Sequence, residues 1–301
     1  MFTVCVPATI ANMGPGFDSF GMAVNLANRF AFELADPGQP DQLTFTAQDE
    51  SELSALRGEK ASDNILLQAM NQLFLQAGQV RPALRIQVEA NIPVTRGLGS
   101  SSTAIVAGLF AANHMLENRF TDLDLLEIAI SMEGHPDNVA PALLGGVVLY
   151  DDGIPYRLPW PDEWRIMTLS PAYPIRTDEA RRLLPMQVPL SDAVFNLRKA
   201  SVLAYALLQS DADALRHSLQ DRLHQPYRRQ LLAEYDALER VVMQTGAYGM
   251  IISGSGSTMA VFYPAVLHHT LLETVQNLIA DQGWNFMLNT LAIDRDGARF
   301  E

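Results

Sequence analysis

The chain is short of cysteine, short of positive charge and without long apolar runs. Cys5 is the single cysteine among 301 residues. One thiol cannot build a disulfide framework or a cysteine zinc cluster, and a reducing cytoplasm fits. Lysine and arginine total 21 against 34 aspartates and glutamates, for a net charge of −13. A nucleic-acid partner would call for a basic face, so that class is disfavoured. An anionic ligand would have to rely on local donors and a metal cation. No stretch reaches the ~20 apolar residues of a membrane span, and no basic region leads into an apolar one at the N-terminus. A soluble, cytoplasmic protein without a membrane partner is expected. There is also no Gly-Lys-Ser/Thr phosphate loop, nucleophile elbow or zinc helix motif. What is present is a hydrophobic content of 48%, ample for a core. The length fits one large or two modest domains.

Hydrophobic periodicity outlines the elements. Phe2 to Val6 reads as a strand and Pro7 to Asp18 as a loop. Connections are expected over 31–41 and 48–62, around a strand near Leu43–Thr46. Leu66, Met70, Leu73, Phe74 and Ala77 recur at helical spacing, with Gly78 as a C-cap. Leu84 to Ala90 alternates strictly, as a half-buried strand does. Ala104 to Leu116 and Leu123 to Met132 read as helices, the second capped by Thr121 or Asp122; Leu143 to Tyr150 reads as a buried strand. Asp151 to Pro155 and Pro159 to Pro161 punctuate the chain, which places a domain boundary there: 1–155 and 156–301. Beyond it come a strand at Arg165–Ser170 and helices near 177–184, 191–208, 211–219 and 231–245. Strands at Gly249–Ser253 and Thr258–Tyr263 flank Gly254-Ser-Gly-Ser257. Strands and helices mix without strict alternation, so the class is α+β.

The richest segment is Asn91-Ile-Pro-Val-Thr-Arg-Gly-Leu-Gly-Ser-Ser-Ser-Thr103, between a strand and a helix. Small residues let a ligand approach the backbone, free N–H groups and hydroxyls donate, and the helix dipole favours an anion. Taken alone it is either a phosphate cradle or a connector with an N-capping serine. Ser102 stands where a dinucleotide fingerprint needs its third glycine.

Four other groupings carry chemistry. Pro7 to Asp18 places Asn12 and Asp18 around a glycine-rich turn, as a substrate site or an Asx-type turn. Glu133-Gly-His-Pro-Asp-Asn138 is dense in polar groups; Glu133 is a hard oxygen ligand suited to Mg²⁺, and His135 and Asn138 can hydrogen-bond a substrate. Thr177 and Arg181 share a helix face, and Arg228 follows downstream; arginine forks suit carboxylates and phosphates, though surface arginines are common. Ser253 to Ser257 reads as a hairpin-like turn. The histidines at 114, 217, 224, 268 and 269 show no partner pattern and read as surface or packing residues.

Taken in order, the motifs at Pro7–Asp18, Pro93–Thr103 and Ser253–Ser257 resemble those of the GHMP kinase superfamily. Pro-Ala-Thr-x-Ala-Asn-x-Gly-Pro-Gly-Phe-Asp, His-Pro-Asp-Asn-Val-Ala-Pro at 135–141 and Thr-x-x-Ala-Arg-x-x-Leu-Pro at 177–185 resemble its homoserine kinase family over nearly the whole chain. The resemblance implies two α+β domains, an N-terminal one like ribosomal protein S5 domain 2 and a C-terminal ferredoxin-like one. It implies transfer of the γ-phosphoryl of ATP to the side-chain hydroxyl of L-homoserine, with Mg²⁺. Asn12, Asp18, His135, Asn138, Thr177, Arg181 and Arg228 match the substrate pocket. Ser101 and Glu133 match the metal positions. Pro93, Arg96, Gly97, Leu98, Gly99, Ser100, Ser101 and Ser102 match the nucleotide loop, and Asn64 a contact to the base. Asn138, Glu133 and Arg181 would carry catalysis, Asn138 orienting the hydroxyl where other superfamily kinases place a carboxylate. Two positions depart from the pattern: Ile10 where serine is common, and Ser257-Thr258 in place of Pro-Ser. A homodimer is compatible with the resemblance, with no interface legible in the sequence. The competing readings are another kinase of this superfamily, acting on a mevalonate-like alcohol, and a non-catalytic ligand-binding member of the fold.

Overall fold

A computed structural model describes residues 1–47 and 64–301. The connection expected over 48–62 lies outside the described residues. Two sheets organise the chain. The first contains β1 (Phe2–Ala11), β2 (Phe20–Leu34), β3 (Gln42–Ala47), β4 (Leu84–Ala90), β5 (Val147–Asp151), β6 (Ile154–Leu158) and β11 (Arg299–Phe300). Its main path runs β11-β1-β2-β4-β3, with β5 paired to the far part of β2 and β6 to β5. The β3–β4 pair is parallel and the others are antiparallel. The second sheet has the order β10-β7-β9-β8, from β7 (Trp164–Pro171), β8 (Gly249–Ile252), β9 (Met259–Pro264) and β10 (Phe286–Leu291). That antiparallel order, with helices between β7 and β8 and between β9 and β10, is the ferredoxin-like arrangement.

Helices α1 (Ile65–Gln76), α2 (Ser100–Met115), α3 (Asp122–Glu133) and α4 (Pro136–Leu144) pack on the first sheet. In the second half come α5 (Thr177–Arg182), α6 (Leu190–Gln209), α7 (Ala212–Ser218), α8 (Gln225–Arg228), α9 (Tyr235–Gln244) and α10 (His268–Gln282). A middle core joins the sheets: Ala8, Ile10, Met22 and Val24 pack with Ile166, Phe262, Leu203 and Leu207. Ile10 is fully buried there, so the departure from serine is a packing change. Val4 and Val6, on the same strand, belong to the first core instead. The register shift at Pro7/Ala8 separates the two sets. Proline is tolerated in a strand at such a bulge.

The structure corrects several expectations. Pro7 to Ala11 continues the strand rather than opening a loop, and the turn begins at Asn12. Residues 31–34 belong to β2 rather than to a connection. Gly134 ends α3 in the left-handed conformation, and His135 with Pro136 at once starts α4. Proline at the first helical position suits that start. Leu143 and Leu144 therefore close a helix, and the strand begins at Val147. A division at 155 cuts β6, which pairs with β5 in the first sheet. The change of sheet comes after Leu158, and β11 returns the C-terminus to the first sheet. Among the described residues, no helix is long and apolar enough to cross a membrane.

Candidate active site

The glycine–serine loop connects β4 to α2. Gly99 is the N-cap of α2 with φ 72° and offers no side-chain cap. The first-turn N–H groups of this 16-residue helix thus have no side-chain acceptor at the cap. Such an end favours an anion. The second glycine-rich turn braces the first and is more than a hairpin connection. Ser253 donates its hydroxyl to the Gly97 carbonyl at 2.6 Å, and the Thr258 N–H donates to the Arg96 carbonyl at 3.0 Å. Gly97 has φ 76°, and a Cβ there would lie 2.2 Å from the Ser253 carbonyl oxygen. The departure at Ser257-Thr258 supplies further braces: Ser257 donates to the Tyr173 carbonyl at 2.7 Å, and Ser170 and Thr258 share a hydrogen bond of 2.8 Å.

The loop residues divide by role. Arg96, Gly97, Gly99, Ser100 and Ser101 line the cleft, together with Val94 and Thr95, which the sequence did not single out. Pro93, Leu98 and Ser102 are buried and frame the loop. The Arg96 guanidinium donates to the Pro171 carbonyl, which anchors the loop to β7.

Glu133, at the end of α3, meets the first turn of α2. Its Oε1 accepts from the Ser101 hydroxyl at 3.0 Å and from the Ser102 hydroxyl at 2.9 Å. One carboxylate beside a hydroxyl fits Mg²⁺ delivered with phosphates, since that ion keeps waters and phosphate oxygens as its other ligands.

The same cleft is lined by Asn12, Asp18, His135, Asp137, Asn138, Thr177, Arg181 and Arg228. All seven substrate-pocket candidates are thus brought together. Arg181 Nη2 donates to Asp18 Oδ1 at 2.8 Å, so these two are already paired. Asn12 Oδ1 accepts from the Asp18 N–H at 3.1 Å, and its Nδ2 donates to the Gly254 carbonyl at 3.3 Å. Thr177 and Ser255 hydroxyls stand 3.5 Å apart. Arg228 is only 3% exposed, and Nη1 donates to the Gly254 carbonyl at 2.7 Å. Burial, followed by the neighbouring Arg181 charge, lowers its pKa to about 10, which leaves it cationic at neutral pH. The Phe17 ring lies under both arginines, 5.7 Å from Arg181 and 5.3 Å from Arg228. Such geometry adds cation–π attraction.

The structure adds residues the sequence did not mark. Asp137, 3% exposed, accepts from His135 Nδ1 at 2.8 Å. Burial works against a charged His135, but that bond and the carboxylates of Asp137, Glu133 and Asp18 outweigh it and raise the pKa. Thr9 donates its hydroxyl to Asn138 Oδ1 at 2.8 Å.

His224, expected at the surface or in plain packing, is fully buried beneath Arg228. Its Nε2 donates to the Gly14 carbonyl at 2.8 Å, so Nδ1 accepts from Arg228 Nη1 at 3.2 Å. Asp221 holds the segment in place by accepting backbone N–H groups of Leu223, His224 and Gln225. No periodic pattern announces such a network, because its partners lie far apart in the chain.

Burial, aided by the Arg228 charge and opposed by Asp221, lowers the His224 pKa. In the unfolded chain the pKa is about 6.5. Below that pH the unfolded state gains a proton that the folded state resists, so this group's contribution to stability falls with pH. The stability advantage of the wild type over His224→Gln should shrink between pH 7 and pH 5 in urea titrations. An advantage that grows on acidification would contradict the neutral assignment.

A second, mainly apolar cavity adjoins the loop. Phe30, Leu43, Phe45, Ile65, Val88 and Ala90 line it, with Asn28 and Asn64. Val94, Ser100 and Ser101 line both cavities, so the two meet at the glycine–serine loop. Asn64 lines the second cavity, and its Oδ1 accepts from the Leu66 N–H at 3.1 Å and caps α1.

Comparison with known proteins agrees with this geometry. Residues 64–146 match the family model for the GHMP kinases N terminal domain, and residues 203–271 that for the GHMP kinases C terminal domain. A homoserine kinase of Synechocystis is 41% identical, over 99% of this chain and 97% of its own. The crystal structure of homoserine kinase from Cytophaga hutchinsonii superimposes with a TM-score of 0.89 at 27% identity, covering 100% of this chain and 97% of its own. The Methanococcus jannaschii mevalonate kinase shares the fold, with a TM-score of 0.70 at 12% identity over 97% of this chain and 98% of its own. On its motifs, its cleft and a 41% identity that runs nearly end to end, the chain belongs to the homoserine kinase family of the GHMP kinases.

Proposed function

We propose that this protein transfers the γ-phosphoryl of MgATP to the side-chain hydroxyl of L-homoserine, forming O-phospho-L-homoserine for threonine synthesis. One observation carries the reading: a helix start without a side-chain cap shares a cleft with the trio Arg181, Arg228 and Asp18. The first suits a phosphate chain and the second a zwitterion. The substrate carboxylate lies against the arginines and its ammonium against Asp18, whose second oxygen remains beside the Arg181 pair. The apolar cavity takes the nucleobase, with Asn64 at its rim. The N–H groups of 97–101 take the phosphates. Glu133 and the Ser101 hydroxyl would hold Mg²⁺, which would neutralise phosphate charge.

The hydroxyl oxygen bonds to the γ-phosphorus as the bond to the β-bridging oxygen breaks. The transition state is loose, so positioning matters more than a strong base. The proton passes to a phosphate oxygen or water. Asn138 is an amide and cannot take it at neutral pH. His135, locked by Asp137, orients the substrate. Buried Cys5 suits a reducing cytoplasm.

The runner-up is a mevalonate-like acceptor. Such a molecule has a carboxylate for the arginines but no ammonium for Asp18. ADP release from MgATP should be followed with L-homoserine, L-serine, mevalonate and no acceptor. Release with homoserine alone supports the reading. Release with mevalonate instead would sink it and keep only the phosphate loop.

A further inference from the structure

The amide of Asn138 is held by a partner that the reaction scheme does not yet use. Thr9 sits on β1, fully buried, and its N–H donates to the Leu98 carbonyl at 3.1 Å. Its hydroxyl donates to Asn138 Oδ1 at 2.8 Å, across 129 residues of sequence. The amide therefore faces Thr9 with its oxygen. Nδ2, a donor only, is the other branch. Asn138 lines the cleft, and Nδ2 donates to no partner among the described residues. The pair also touches the phosphate loop. A Cβ on Gly99 would fall 2.2 Å from Thr9 Oγ1 and 3.1 Å from Asn138 Oδ1. Thr9 and Asn138 therefore pack against the residue that starts α2, where the γ-phosphoryl would be held.

We propose that Thr9 is a positioning residue for phosphoryl transfer: it fixes the Asn138 amide so that Nδ2 presents an N–H to the reacting oxygens. This rests on the kinase reading above. It also sharpens the part played by Asn138. With Oδ1 turned to Thr9, the side chain faces the reaction with its N–H branch and donates to the attacking hydroxyl oxygen or to a γ-phosphoryl oxygen; a neutral amide does not take the hydroxyl proton. Without Thr9 the amide can rotate and present Oδ1, whose negative end faces an electron-rich reaction centre. A neutral threonine–asparagine pair does this work without adding charge next to ATP. The bond is buried, so water does not compete for the carbonyl.

The test is a double-mutant cycle on whichever acceptor the wild type phosphorylates. Thr9→Val keeps the shape and removes the donor. It should lower kcat about 10- to 100-fold, the scale of a lost reactive alignment, with both KM values nearly unchanged. Thr9→Ser keeps the donor and should restore most of kcat. In an Asn138→Ala background, Thr9→Val should cost nothing further, because the residue acts through the amide. Thr9→Ala takes the place of valine in the cycle if the valine variant does not fold. A valine variant at full kcat overturns the proposal alone, and so does an equal loss in the Asn138→Ala background, which would mark a merely structural role. A wild type inert toward every acceptor overturns it together with the kinase reading.

Discussion

Arg228→Leu should lower kcat/KM for homoserine by about 2–5 kcal/mol, roughly 30- to 5000-fold, the cost of removing one member of a buried, hydrogen-bonded charge pair. The loss should appear mainly in KM for homoserine, while the KM for ATP stays near its wild-type value. The reason lies in how the guanidinium is held. His224, Gly254 and Phe17 fix it in a site only 3% exposed. Nε has no hydrogen-bond partner within the described structure. A carboxylate arriving here meets a pre-oriented cation in a poorly hydrated place, where attraction is strong. Arg228→Lys keeps the charge but loses the planar fork, so it should recover only part of the affinity. Arg181→Leu should cost less. Its side chain is 38% exposed and already paired with Asp18, so solvent screens it. Steady-state kinetics with both substrates varied decides the matter. An Arg228→Leu enzyme that folds, binds ATP and keeps its KM for homoserine would remove Arg228 from the substrate site.

Glu133→Gln should abolish most turnover while leaving the fold intact. Glutamine preserves the shape and can still accept from Ser101 and Ser102, the two hydroxyls that Glu133 holds at 3.0 and 2.9 Å. What it loses is the negative charge that attracts a divalent cation. Metal stabilisation of a transferring phosphoryl group is worth several kcal/mol, so kcat should fall on the order of 10²- to 10³-fold. The Mg²⁺ concentration giving half-maximal rate should rise as well. Ser101→Ala should raise that concentration less, because a neutral hydroxyl is the weaker ligand. A Mg²⁺ titration of the three proteins at saturating ATP checks this. An unchanged Mg²⁺ midpoint in Glu133→Gln would place the ion elsewhere.

Much of the site was legible from residue types. Gly97 and Gly99 mark a close backbone approach in the sequence, and in the structure both take the left-handed conformation, at φ 76° and 72°. The strict alternation of Leu84–Ala90 gave a strand, and the run after it a helix. Thr177 and Arg181 fall on one helix as their spacing required. Other readings failed for identifiable reasons. Pro7 looked like a strand end, but a register shift beside it lets β1 continue to Ala11. The strand expected from Leu143 starts only at Val147, because Pro136 opens a helix that runs to Leu144, and local sequence does not say which neighbour a proline will join. The boundary at 155 followed turn residues, whereas β6 follows its hydrogen-bonded partner β5.

The sequence by itself determined which chemical groups the site contains and where the chain can turn, because both depend on side-chain type and short-range sterics. Tertiary structure alone decided which of those groups are spoken for. Asp18 meets Arg181 across 163 residues, Thr9 meets Asn138 across 129, and His224 meets Gly14 across 210. Such pairings are chosen by how the two sheets pack about their shared core. Burial then raises the cost of any polar atom left unpaired, so packing turned a histidine without a sequence pattern into the support of the buried Arg228.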